Sequence, residues 1–133
     1  MPGNFIDSNV LIHIASSDPT RADRAERLLG EGGAISVQVL NEIANVARRK
    51  MRMSRTETHR FLSMLRGLLA VHPITIETHE EGLTLAEHHN FSIYDAMIAA
   101  CALHADCEIL WSEDMQDGMV IDGRLQIINP FRV

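Results

Sequence analysis

Apolar residues recur along this chain in two alternating periods, and the switches between them predict short strands separated by helices. Residues 4–7 read as a strand closed by Asp7, with Ser8 and Asn9 placed to cap a helical segment over 10–15. Pro19-Thr20 opens a helix to about Leu29, with Ala22, Ala25, Leu28 and Leu29 inward, and Gly30-Glu31-Gly32-Gly33 ends it. Ala34-Ile35-Ser36 is a brief strand. It leads into a helix to about Arg49 that gathers Val39, Leu40, Ile43, Val46 and Ala47 on one face. Ser54-x-x-Glu57 is a capping box, followed by Phe61, Leu62, Leu65, Leu68 and Leu69 at helical spacing. Residues 72–76 alternate like a strand, and Thr78-x-x-Glu81 reads as a second capping box heading a helix to about His89. Ser92 caps an apolar helix over 93–105. A strand over 108–111, a turn at Gln116-Asp117-Gly118 and a last strand over Leu125–Ile128 complete the pattern.

Five short strands alternating with helices predict an α/β domain with a mostly parallel sheet covered on both faces, a three-layer α/β/α arrangement. At 133 residues, with no repeat, low-complexity tract or linker, residues 1–133 form one expected domain. Sheets of this kind bind ligands beyond the carboxyl ends of their strands, at a topological switch point.

Four acids interrupt this pattern where apolar or capping residues are the norm. Asp7 is the only charged residue between Gly3 and Ser17 and closes the first strand. Glu42 borders the apolar stripe of its helix, one turn from Val39 and Val46. Asp95 stands ahead of the unbroken apolar run Ala96 to Leu103, and Asp114 follows the strand Ile109-Leu110-Trp111. Each has a plainer reading: a turn acid for Asp7, a boundary glutamate for Glu42, and half of a capping box with Ser92 for Asp95. Asp114 shares an acidic loop with Glu113 and Asp117, any of which can be the ligand, and the pattern Ser112-x-Asp114 after a buried strand favours Asp114. Periodicity nevertheless places all four toward one edge of the sheet. Convergent carboxylates repel by roughly 3–4 kcal/mol per pair at about 5 Å and an effective dielectric near 20. A fold tolerates that when cations fill the gap, which points to hard divalent metal chemistry.

Taken alone, the formal net charge of −6 argues against a nucleic-acid partner. Setting the four acids aside leaves 14 acids against 12 bases, a balance of −2, and two bound divalent cations bring the chain to the same figure. The bases are also clustered: Arg48, Arg49, Lys50, Arg52 and Arg55 fall within eight positions, where they suit either a helix C-terminus or phosphates. The apolar fraction of 46% is that of a soluble globular protein, and no run is long enough to cross a bilayer. The N-terminus lacks the basic segment of a secretory signal. Two cysteines do not make a disulfide framework, so a cytoplasmic location is expected.

Other chemistry finds little support. Cys101-x-x-His104-x-x-Cys107 has a zinc-like spacing without a fourth ligand. There is no phosphate-binding glycine loop and no nucleophile elbow. Phosphotransfer through an aspartyl intermediate at Asp7, as in response regulators or haloacid-dehalogenase-like phosphatases, would need a lysine late in the chain, and in the latter also a second acid at the place of Asn9, whereas Lys50 is the only lysine. A non-catalytic module that binds RNA or protein has no need of four acids.

Taken in order, Phe5-Ile6-Asp7-Ser8-Asn9-Val10-Leu11-Ile12, Val39-Leu40-Asn41-Glu42, Tyr94-Asp95-Ala96-Met97-Ile98-Ala99-Ala100 and Leu110 to Gly118 resemble the PIN-domain ribonucleases. More narrowly they are similar to the VapC-type toxins of toxin–antitoxin pairs. The likeness spans nearly the whole chain and is weakest between Lys50 and Glu87. It implies a metal-dependent endoribonuclease with Asp7 and Asp95 as principal Mg²⁺ or Mn²⁺ ligands. Glu42 and Asp114 would complete the acidic pocket, and Asn9 and Ser112 would orient it. It also implies an RNA substrate, a homodimer, and an antitoxin whose C-terminal segment blocks the groove.

Overall fold

The computed structural model describes residues 3–132. Its centre is a six-stranded sheet in the order β3-β2-β1-β4-β6-β5. These strands are β1 Gly3–Ile6, β2 Ala34–Ser36, β3 Ala70–His72, β4 Cys107–Trp111, β5 Val120–Ile121 and β6 Leu125–Ile128. All neighbours pair in parallel except β5, which runs antiparallel to β6. Phe5 and Ile6 point to opposite faces and both are wholly buried, as expected of a central strand with helices on each side.

The helices are α1 Ser8–Leu11, α2 Pro19–Glu31, α3 Val37–Arg49, α4 Arg55–Leu68, α5 Ile76–His89 and α6 Ile93–His104, with a 3-10 turn over Ile12–Ala15. On α3 the expected stripe is present, with Val39, Ile43 and Ala47 fully buried. Every residue of α6 from Ala96 to Leu103 is buried, because this helix packs against α5, β4, β2 and α3. Its alliance with α5 depends on Gly82, where an added Cβ would lie 2.7 Å from Met97 Sδ. No described helix is long and apolar enough to cross a membrane.

Several local expectations are corrected by particular residues. The sheet has six strands, not five, because the two-residue β5 is too short to show an alternation. The third strand ends at His72 and does not extend to 76: Pro73 has no N–H for the ladder, and Thr75 already caps α5 by accepting from Thr78 N at 3.1 Å. Thr78 is therefore not the head of a capping box but a buried residue inside α5, and Glu81 instead faces His104 at 3.5 Å. Asp7 caps α1, in place of Ser8 or Asn9, and Asp18 caps α2 through Thr20 N and Arg21 N. The Ser54–Glu57 capping box forms reciprocally, at 2.8 and 3.0 Å.

The strand order reverses between β1 and β4: from β1 the chain steps outward through β2 and β3, and from β4 it steps the other way. This is the topological switch point, and the crevice beyond the carboxyl ends of these two strands is where such a sheet receives a ligand. Asp7 directly follows β1, and Ser112 directly follows β4.

Candidate active site

The backbone places Asp7 first. Its N–H donates to Trp111 O at 2.9 Å, prolonging the β1–β4 ladder by one residue, and the chain then turns into α1. The carboxylate is left in the crevice, 2% exposed. One oxygen, Oδ1, accepts from Ser8 N at 2.7 Å, and the other, Oδ2, accepts from Ser112 Oγ at 2.8 Å and Asn9 Nδ2 at 3.4 Å. Asn9 bridges outward as well: its Oδ1 accepts from Glu113 N at 3.0 Å, which fastens the loop after β4 to the loop after β1.

Glu42 reaches the same crevice from α3. Its Oε1 accepts from Ser8 Oγ at 2.6 Å and its Oε2 from Gln38 Nε2 at 2.9 Å. Asp95 comes from the first turn of α6, where its N–H donates to Ser92 Oγ at 3.1 Å. Asp114 is exposed on the loop after β4. Together the four acids line one cavity of about 480 Å³, with His13, Lys50 and Glu113 also in its walls.

Burial, and after it the charge of neighbouring acids, raises two of these carboxyls, Asp7 and Asp95. Burial, and then the charges of Glu42 and Asp95, push the Asp7 carboxyl up to about 7 against the lowering effect of the Ser112 hydrogen bond. Asp95 is also raised, by burial first and then by Glu42 and Asp114, although it sits at a helix N-terminus that favours its charged form. None of the ion pairs among the described residues involves Asp7, Glu42, Asp95 or Asp114.

The three acids of the loop after β4 separate by their partners. Glu113 is joined to His13 Nε2 at 2.9 Å and to the Arg21 guanidinium. Burial alone would raise its carboxyl, but those bonds and charges outweigh it and hold the group below the ordinary glutamate range. Asp117 turns away from the cavity, accepting from Asn129 N at 2.8 Å and Arg132 Nη1 at 3.4 Å. Asp114 alone of the three makes no side-chain bond or ion pair with a described residue. The sequence favoured Asp114 only through the pattern Ser112-x-Asp114, and it gave no sign of the partners that occupy Glu113 and Asp117. Nor did it single out Gln38, although Gln38 and Glu42 stand at the i, i+4 spacing of helical neighbours. His13 and Arg21 carry no local signal at all.

This donor set fits a hard divalent cation. It is all oxygen, uncompensated, and fixed on one side by hydroxyl and amide donors that leave further carboxylate lone pairs free. Among the described residues no group of three or more His, Cys, Asp or Glu side chains is close enough to hold a metal ion by itself. Mg²⁺ commonly needs no such group, taking one or two carboxylates and completing its octahedron with water and substrate phosphates. The Cys101-x-x-His104-x-x-Cys107 spacing is of another kind. Both thiols are buried and pushed up to about 11, and His104 Nδ1 lies 3.3 Å from the Thr78 hydroxyl.

Comparison with known proteins agrees with this geometry. The PIN domain family matches residues 5–116, and the chain belongs to that family. Its fold is similar to a chain of a toxin–antitoxin complex from Klebsiella pneumoniae, with TM-score 0.75 and 21% identity over 98% of this chain and 99% of that one. It is also similar to VapC20 of Mycobacterium tuberculosis, described as a sarcin-ricin loop cleaving toxin, with TM-score 0.69 and 19% identity over 84% and 89%. A third likeness is to a chain of DNA-bound VapBC from Salmonella typhimurium, with TM-score 0.64 and 20% identity over 96% and 98%. No curated protein sequence matches the chain at a significant level.

Proposed function

We propose that the protein is a divalent-cation-dependent endoribonuclease acting in the acidic cavity between β1 and β4. The observation that carries this reading is Asp7, a nearly fully buried carboxylate that repels two neighbouring acids and has no cationic partner among the described residues. Membership of the PIN domain family supports it. Asp7 and Asp95 would hold Mg²⁺ or Mn²⁺, with Glu42 and Asp114 completing the negative field. When bound, such a cation activates a water for in-line attack at phosphorus and stabilises charge on the departing oxygen.

The protein's own part is positional. Ser8 N, Ser112 Oγ and Asn9 Nδ2 fix both oxygens of Asp7, and Ser8 Oγ with Gln38 Nε2 fixes Glu42. The acidic field discourages a polyanion from entering without its counter-cation, so catalysis and metal loading are coupled. The likeness to chains of toxin–antitoxin complexes supports its being the toxin of such a pair, restrained by an antitoxin, and the same reading takes it to be a cytoplasmic homodimer. Incubation of purified protein with RNA is expected to give cleavage with Mg²⁺ or Mn²⁺, none with chelator, and none with Asp7→Asn. Absence of cleavage with either metal, or equal cleavage by the variant, overturns the reading. Covalent labelling of Asp7 by an acyl-phosphate mimic would favour phosphotransfer instead.

A further inference from the structure

The cavity is acidic, so an RNA strand needs cations at its edge to hold its phosphates. The structure places one there. Lys50, the only lysine of the chain, follows α3 and lines the same cavity as Asp7, Glu42 and Asp95. It begins a short connection that carries Arg52 and leads to Arg55, the first residue of α4. All three side chains are exposed, and none takes part in an ion pair among the described residues. A helix C-terminus accounts for Arg48 and Arg49 in the last turn of α3 and for the charge of Lys50 at its C-cap. It does not account for cations that continue past the helix.

The connection is also held in shape. Lys50 N and Met51 N both donate to Val46 O, at 2.8 and 3.1 Å, and Met53 N donates to Ala47 O at 2.9 Å. Arg52 adopts a left-handed backbone at φ 55°, a conformation that L side chains enter reluctantly. Beyond it, Arg55, His59 and Arg60 flank a shallow groove of about 620 Å³ along α4. Lys50 and Arg55 are at most about 18 Å apart by chain length alone, a separation several consecutive phosphates can bridge.

We infer that the α3–α4 connection is a track for single-stranded RNA, in which Lys50, Arg52 and Arg55 contact successive phosphates and lead the strand from the acidic cavity to the groove on α4. The inference rests on the ribonuclease reading for its ligand but concerns binding, not cleavage. Counterion release gives it a quantitative signature. For single strands, the logarithm of the affinity falls with the logarithm of salt by about 0.7 per phosphate neutralised.

The test is binding of a labelled, mixed-sequence single-stranded RNA to the full protein in chelator, as a function of salt. The variant combines Lys50→Gln, Arg52→Gly and Arg55→Gln. Arg52→Gly removes the charge at a position whose backbone conformation suits glycine, so the fold is spared. Its slope is expected to be shallower by roughly 2, which makes the affinity lost between 50 and 200 mM salt about 20-fold smaller than for the wild type. The charge-preserving Lys50→Arg and Arg55→Lys are expected to keep the wild-type slope. An unchanged slope in the triple variant, or a wild type that binds no RNA, overturns the track. So does loss of binding to polyglutamate without a change toward RNA, which would assign the surface to an acidic protein partner. If the slope behaves as expected but RNA is never cut with Mg²⁺ or Mn²⁺, the nuclease reading fails and the track stands.

Discussion

Ser8 donates its hydroxyl to Glu42 Oε1 at 2.6 Å, joining the turn after β1 to the second turn of α3 across 34 residues of sequence. Ser8 N simultaneously donates to Asp7 Oδ1 at 2.7 Å, so one residue positions two acids that repel each other. Ser8→Ala keeps the backbone bond and removes the hydroxyl's short bond to Glu42 together with its longer one, 3.3 Å, to Asp7 Oδ1. Loss of such an orienting group typically costs 10- to 100-fold in metal affinity or activity. The expected result is about a tenfold higher Mg²⁺ or Mn²⁺ requirement for cleavage, with stability changed by no more than about 1 kcal/mol. A metal titration of the cleavage rate, with a thermal melt beside it, checks both. An unaltered metal requirement would mean that Gln38 alone suffices to hold Glu42.

Asp7 carries a pH signature whose sign is fixed by its environment. Its folded value, about 7, lies above the ordinary value of 3.8 because burial and neighbouring acids disfavour the charge. Between those values the folded protein keeps a proton that the unfolded chain has lost, so metal-free stability falls as pH rises from about 4 toward 7, then stays low. The full swing is on the order of 4 kcal/mol. Metal-free protein is therefore expected to melt at a lower temperature at pH 8 than at pH 5 on account of this group. Asp7→Asn should raise the pH 8 melting temperature by several degrees while abolishing cleavage, since a neutral amide replaces a buried charge that neighbouring acids repel. Added Mg²⁺ or Mn²⁺ should raise the melting temperature of the wild type at pH 8 and leave the variant unmoved. A variant less stable than the wild type at pH 8 without metal contradicts the argument.

What could be read from the sequence follows the range of each interaction. The α3 stripe and the Ser54–Glu57 box depend on residues three or four apart, and the burial of α6 on one unbroken apolar run, so each was legible. Convergence of Asp7, Glu42, Asp95 and Asp114 was legible only as a pattern, because strand ends and helix starts fix an edge of the sheet but no distance. Thr78 misled because Ser/Thr-x-x-Glu is necessary for a capping box and not sufficient: Thr75 offered the same hydroxyl one turn earlier, and tertiary contact with His104 decided between them. β5 exists through its pairing with β6, which no two-residue segment can announce.

The acidic loop after β4 gives a comparison between two aspartates three residues apart. Asp114 lies in the cavity wall and raises Asp95, whereas Asp117 binds Asn129 N and Arg132. Asp114→Asn is expected to lower cleavage by at least tenfold at unchanged stability. Asp117→Asn is expected to lose about 1–2 kcal/mol of stability, as a partly buried backbone amide trades a charged acceptor for a neutral one, and to keep its cleavage rate. Cleavage assays and denaturant unfolding of the two variants give opposite rankings if this assignment holds. The same ranking in both assays would return Asp117 to the site.

Glu113 is held from a distance by Phe131. The Arg21 guanidinium that pairs with Glu113 sits 4.7 Å from the centre of the Phe131 ring, and His13, its other partner, meets that ring edge-on at 4.9 Å. His13 Nδ1 is buried without a partner among the described residues, so the tautomer that donates from Nε2 to Glu113 leaves only a lone pair unsatisfied. Phe131 thus restrains both groups that restrain the residue before Asp114. Phe131→Leu keeps most of the apolar volume and removes the ring face, and should cost about 0.5–1 kcal/mol. In a double-mutant cycle with Arg21→Met, a coupling of similar size is expected, because the two changes remove one shared contact. Cleavage by Phe131→Leu should need several-fold more metal, as the loop bearing Asp114 loosens. Additive stability effects together with an unchanged metal requirement would show that the ring only fills space.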